Sequence, residues 1–155
     1  MKPPRQQQIH RLGAQIRSLP PPLEALLSYW LQKCAGRSMP ARDDLPVREL
    51  GPWLGHLALI ETGGDQIVRL CGTNLIRRFG REATGAGVDE LAFDIAQQLR
   101  AILRATAKAM APVIAISHVP LGRTVFSYGE VALPLTGEGG RLATVLLGSY
   151  PIGES

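Results

Sequence analysis

The side chains that could carry chemistry are sparse and lie far apart in this 155-residue chain. His10, His56 and His118 could serve as general bases or metal ligands, but no His-Glu-x-x-His run or comparable spacing connects them. Structural roles are the expectation for all three. Glu130 falls in a strand-like run two residues from Tyr128, so the two share a face by the period-two rule. A strand carboxylate can bind a ligand amine or pair with an arginine. With no second carboxylate placed for acid–base work, pairing or solvent exposure is expected here. Asp43-Asp44 with Arg42 and Arg48 could hold a metal or an anion, yet an acid pair before a helix more often serves capping. Arg77, Arg78 and Arg81 could meet phosphate, but no aromatics are interleaved with them, and a solvated basic face is expected. Gly80, Gly85 and Gly87 follow a helical run rather than a strand, so they are no dinucleotide fingerprint. Cys34 and Cys71 sit in apolar patterns without Cys-x-x-Cys spacing, which points to small buried residues. Cys71 precedes a helix start, the one setting here that suits a reactive thiol.

Composition narrows the setting. The chain is the size of one domain with an appendage, and its 45% hydrophobic content suits a packed core. The net charge of +4 raises nucleic acid or an anionic membrane as partners. Its placement argues otherwise for the core: Lys2, Arg5, Arg11 and Arg17 lie in an acid-free opening stretch, and the remaining 13 basic residues balance the 13 acids. No nucleic acid is expected at the core. The opening stretch lacks the apolar run of a signal peptide, and no segment approaches a membrane span. A cytoplasmic protein is expected.

The elements that must position these residues read as follows. Residues 1–19 form a basic arm, expected to be flexible, with a weak helical pattern (Ile9, Leu12, Ile16) broken by Gly13. Residues 20–46 hold a helix and a connection. Leu23, Leu26, Leu27, Trp30, Leu31 and Cys34 recur at helical spacing, with Pro before and Gly36 after. Residues 47–155 form the core: a hairpin across Thr62-Gly63-Gly64-Asp65, a short helix Asn74–Phe79, and a long amphipathic helix over 93–110. Three strands follow, over 113–118, 124–133 and 142–150. Short connections make the strands antiparallel, and segregated strands and helices predict an α+β fold. The expected fold is a five-stranded antiparallel sheet with helices on one face. Both faces of the last two strands are apolar, so the N-terminal amphipathic helix should cover the other face.

This order resembles the PAS (Per-Arnt-Sim) fold. The resemblance sharpens toward a bacterial, stand-alone branch through Tyr29-Trp30, Pro40 with Arg42 and Asp44, Gly72-Thr73, Phe79-Gly80, Thr84-Gly85 and Leu133-Pro134-Leu135, and it spans roughly residues 23–151. It implies a non-enzymatic sensor or adaptor of signal transduction that forms a homodimer and contacts an unknown signalling protein. A small-molecule ligand can lie between sheet and helices in such a fold. Covalent flavin is disfavoured because Gly72–Gly80 lacks the cysteine of flavin photoreceptors, and haem because 93–110 lacks a histidine. The cofactor is otherwise unknown. Pocket candidates are Leu99 and Leu103 from the long helix, with Phe126, Tyr128 and His118 from the sheet. Leu23, Leu27, Trp30 and Leu31 are the dimerisation candidates, although the same stripe could be core cover. The competing readings are a hotdog-like acyl thioesterase, for which Asp89, Glu90 or Asp94 would supply the carboxylate, and a ligand-free structural interaction module.

Overall fold

A six-stranded antiparallel sheet organises the molecule in the computed structural model, which describes residues 7–11 and 19–154. Its strands are β1 (Gln7–Arg11), β2 (Leu57–Glu61), β3 (Val68–Cys71), β4 (Val113–Leu121), β5 (Thr124–Thr136) and β6 (Leu142–Glu154), arranged in the order β1-β4-β5-β6-β2-β3. The helices are α1 (Pro21–Cys34), the single turn α2 (Ile76–Phe79) and α3 (Phe93–Ala109). The five strands expected from the sequence are all present, and β1 adds a sixth at one edge. Ile9 was expected in a helical pattern; it lies instead opposite Ala115 in an antiparallel ladder. The edge of β4 offers backbone partners that an isolated helical turn would lack. Leu12 and Ile16, the rest of that pattern, lie outside the described residues, as do Lys2, Arg5 and Arg17.

Two apolar layers sandwich the sheet. On one face α2 and α3 pack through Phe79, Ile95, Leu99, Ile102 and Leu103 against Ala58, Ile60, Ala115, Ala132 and Leu147. On the other, α1 packs Leu23, Leu26, Leu27 and Trp30 against Leu57, Leu59, Ile114, Val131, Leu133 and Leu146. Each such side chain contributes about 1.5–3 kcal/mol by leaving water. The start of α1 follows from Pro20-Pro21-Pro22, since proline is tolerated where the first-turn N–H groups have no partner. Its end follows from Ala35 and Gly36, both left-handed at φ 50° and 84°. Met110, expected on the buried face of α3, is instead its left-handed cap and is exposed.

Pro134 explains how α1 is pinned. β4 begins pairing with β5 at Val113 opposite Ala132, so Pro134 lies beyond the end of β4 and that side of the sheet needs no N–H from it. Its carbonyl, left free, accepts the Trp30 indole N–H at 3.0 Å. The connection after α1 is held by Asp44, whose carboxylate accepts from the Ala41 backbone N–H at 2.8 Å and from Arg37 at 2.7 Å. These bonds, the backbone one first, hold its carboxyl below the usual range.

Gly72 joins β3 to the turn before α2, where it abuts the Leu54–His56 turn. A Cβ there would collide with the Gly55 carbonyl and lie 2.5 Å from the Leu54 carbonyl oxygen, both of them backbone. Gly72→Ala is therefore expected to lower stability by about 1–3 kcal/mol, as overpacking does. Urea unfolding checks this against Gly63→Ala, where the same atom meets open space and little change is expected.

Candidate functional site

Side chains alternate across a strand, so β5 sends Tyr128, Glu130 and Ala132 toward the α3 face and Val131 and Leu133 toward α1. Glu130 is thus carried into the interior, where its charge needs partners. Arg78 provides them: its Nε donates to Oε2 at 2.7 Å and an Nη to Oε1 at 3.1 Å, in a bidentate fork. The Ser117 hydroxyl on β4 donates to Oε1 at 2.6 Å, and the Ser149 hydroxyl on β6 donates to Oε2 at 2.7 Å. All four residues have 0% exposure. Three neighbouring strands and α2 therefore converge on one carboxylate.

Local sequence aims Arg78 inward. The turn from Thr73 to Phe79 ends at Gly80, left-handed at φ 80°, and buries Leu75, Arg78 and Phe79 on one side while Ile76 and Arg77 stay outside. The expected solvated face thus holds for Arg77 and Arg81, which are exposed, and is corrected for Arg78. Arg77 lies 4.4 Å over the Phe126 ring.

The network extends in two directions. Gln7 of β1 donates from Nε2 to the Ser117 hydroxyl oxygen at 3.1 Å and to the Gln98 carbonyl at 3.2 Å. Gln98, 4% exposed on α3, donates in turn to the His118 carbonyl at 3.0 Å. On the other flank, His56 Nδ1 lies 3.1 Å from the Ser149 carbonyl and Nε2 lies 3.0 Å from the Asn74 amide nitrogen. Asn74 can donate only to an unprotonated Nε2, which leaves Nδ1–H to donate to Ser149. Tyr150 stacks on the His56 ring at 3.9 Å. Three buried polar atoms, Arg78 Nη1, Gln98 Oε1 and Thr144 Oγ1, have no partner among the described residues, and the first two belong to this network.

Of the pocket candidates, Leu99, Leu103 and Tyr128 are buried on the α3 side, and Phe126 belongs to the same strand face at its rim. Burial pushes the Tyr128 hydroxyl up, against the pull of Arg77 and Arg78. His118 is corrected: it shares a face with Ile114, toward α1, and its Nδ1 meets the Ser127 hydroxyl at 2.7 Å. Among the dimerisation candidates, Leu23, Leu27 and Trp30 pack on the sheet of their own chain with at most 5% exposure, the core-cover alternative for that stripe. Leu31 is 50% exposed. Burial raises both thiols, Cys34 and Cys71, which moves them away from the reactive thiolate. Ser117, Ser149, Gln7 and Gln98 carried no signal in the sequence beyond being polar residues in or beside apolar runs.

A family profile described as PAS domain matches residues 19–147, and the chain belongs to that family. Among solved structures it is similar to the LOV protein of Rhodobacter sphaeroides, at 17% identity over 63% of this chain and 58% of that one, with a TM-score of 0.46. It is also similar to the PAS domain of a protein from Colwellia psychrerythraea, at 11% identity over 68% of this chain and 96% of that one, with a TM-score of 0.49. The PAS domain of Bordetella pertussis BvgS is similar at 18% identity, covering 63% and 76%, with a TM-score of 0.47. The chain thus spans little more than half of the Rhodobacter chain. No curated protein matches it. The thioesterase carboxylates do not face the core: Asp89 pairs with Arg100, Glu90 accepts the Gly87 N–H at 2.6 Å, and Asp94 is exposed. No helix of the described residues is long and apolar enough to cross a membrane.

Proposed function

We propose that this PAS domain is a cytoplasmic sensor or adaptor module of bacterial signal transduction that acts through a homodimer and contacts with a signalling protein, without chemistry of its own. The observation that carries this reading is the Arg78–Glu130 pair. The interior between sheet and helices is occupied by the chain's own ion pair and its two serine donors, all fully buried. A core closed in this way favours output by surface contact over turnover of a substrate. Leu31 and Val47 support a contact surface beside α1. They are 50% and 45% exposed, and the turn bearing Val47 is tied to α1 by Glu49, which accepts from Tyr29 and pairs with Lys33, each at 2.8 Å.

A second reading has one observation behind it. Arg78 Nη1 and Gln98 Oε1 are a buried donor and a buried acceptor without partners among the described residues, which suits a small polar guest. Native mass spectrometry of the purified chain separates the two. A dimer mass without adduct is expected for the adaptor. A stoichiometric small-molecule adduct would favour ligand sensing, and a monomer at all concentrations would overturn the dimer.

A further inference from the structure

We propose that β1 is a latch on the sheet edge whose docking is set by the state of the buried Arg78–Glu130 pair. β1 is the outermost strand, and its ladder runs from Gln7 opposite Ser117 to Arg11 opposite Val113. Ile9 packs against the cluster beneath α3. The Gln7 side chain is a polar anchor of the strand, and one of its two acceptors is the Ser117 hydroxyl oxygen. That hydroxyl has a single proton, and the proton is directed to Glu130 Oε1. The carboxylate charge therefore fixes the direction of the hydroxyl and turns its lone pairs toward Gln7. The chain of bonds runs from the Gln7 amide through Ser117 to Glu130 and on to Arg78, each bond polarising the next.

The two ends of this chain belong to different elements. Arg78 sits on the one-turn helix α2, flanked by exposed Ile76 and Arg77, while Gln7 sits on the sheet edge. An event at α2 that withdraws Arg78 removes the guanidinium fork from the buried Glu130 carboxylate and leaves it without its countercharge. Ser117 then loses its fixed orientation, and Gln7 loses an aligned acceptor. Release of β1 bares the outer N–H and C=O groups of β4 over residues 113–117, an edge able to accept another extended strand. By reciprocity, docking of β1 stabilises the pair. The coupling rests on the signalling reading only for its use, since the test below reads strand docking and no partner.

Amide hydrogen exchange on the full-length, isotope-labelled chain tests the latch by NMR. In Ser117→Ala and in Gln7→Leu, the β4 amides that face β1 are expected to exchange roughly three- to ten-fold faster, the effect of losing one hydrogen bond. Amides between β2 and β6 should stay near their original rates. The combined variant should be no faster than the faster single one, because both remove the same link. Glu130→Gln touches no atom of β1 and should nonetheless speed the same β4 amides. If it fails to fold, Arg78→Lys, which keeps the charge and loses the fork, takes its place. Conversely, the Arg78 Nε–H signal should exchange faster in Gln7→Leu. Equal acceleration across the whole sheet, effects that multiply in the combined variant, or β4 amides indifferent to both Glu130→Gln and Arg78→Lys would overturn the latch.

Discussion

Arg78→Met is expected to lower folding stability by about 3–5 kcal/mol, the usual cost of removing one partner from a buried ion pair. The pair has 0% exposure on both sides. Without the guanidinium, Glu130 keeps only the Ser117 and Ser149 hydroxyls, at 2.6 Å and 2.7 Å, and two neutral donors do not replace a bidentate cation. Glu130→Leu should cost a similar amount, because it strands Arg78 in the same interior. The informative variant is the double one. Replacing both partners by apolar side chains removes the uncompensated charge, so Arg78→Met with Glu130→Leu should be at least about 1 kcal/mol more stable than the worse single variant. It will not reach the parent, since Ser117 and Ser149 then lose their acceptor. Urea unfolding at neutral pH measures all three. Single variants within about 0.5 kcal/mol of the parent would show that the pair is open to solvent, contrary to the geometry described.

Trp30→Ala should also cost about 3–5 kcal/mol, the range for truncating a large buried aromatic. Trp30 is 2% exposed, lies among Leu23, Leu26, Leu133 and Leu135, and anchors α1 through its indole bond to the Pro134 carbonyl. Light scattering on the same variant distinguishes core from seam. If Trp30 covers its own sheet, the folded fraction of the variant associates as the parent does. A fully stable variant that turns monomeric would place Trp30 between protomers. Leu31→Glu is the converse, with little expected effect on stability because the residue is half-exposed.

Much of the fold was legible because periodicity is a local property. The stripe from Leu23 to Cys34 specifies a helix, the alternating runs specify strands, and the Thr62–Asp65 turn specifies a hairpin, each within a dozen residues. Apolar residues on both faces of the last strands likewise required two covers, and α1 and α3 are those covers. Strand ends were less legible. β4, β5 and β6 run three to four residues past their expected ends, to Leu121, Thr136 and Glu154, because ladder pairing continues through prolines that read as strand ends: Pro120 lies opposite Val125, Pro134 opposite Val145 and Pro151 opposite Tyr128. Strand β1 was read as helical turn because Ile9 pairs with a neighbour more than a hundred residues away.

The candidate site divides in the same way. Glu130 stood out as a carboxylate within a strand, and pairing with an arginine was one of its expected fates. Its partner did not stand out, because Arg78 lies among Arg77 and Arg81 and a one-turn helix is too short to show which side is buried. His118 was placed on the wrong face for a related reason: alternation relates residues within a strand but leaves open which set points inward.

The sequence by itself therefore determined a two-faced antiparallel sheet with an amphipathic helix on each side, since apolar periodicity states how much surface must leave water and in which direction. Only the tertiary structure decided which polar residues go inside. A charge is stable in the interior only where its countercharge and hydrogen-bond donors are already assembled. For Glu130 these come from α2, β4 and β6, and Arg78 lies 52 residues away along the chain, beyond the reach of any local pattern.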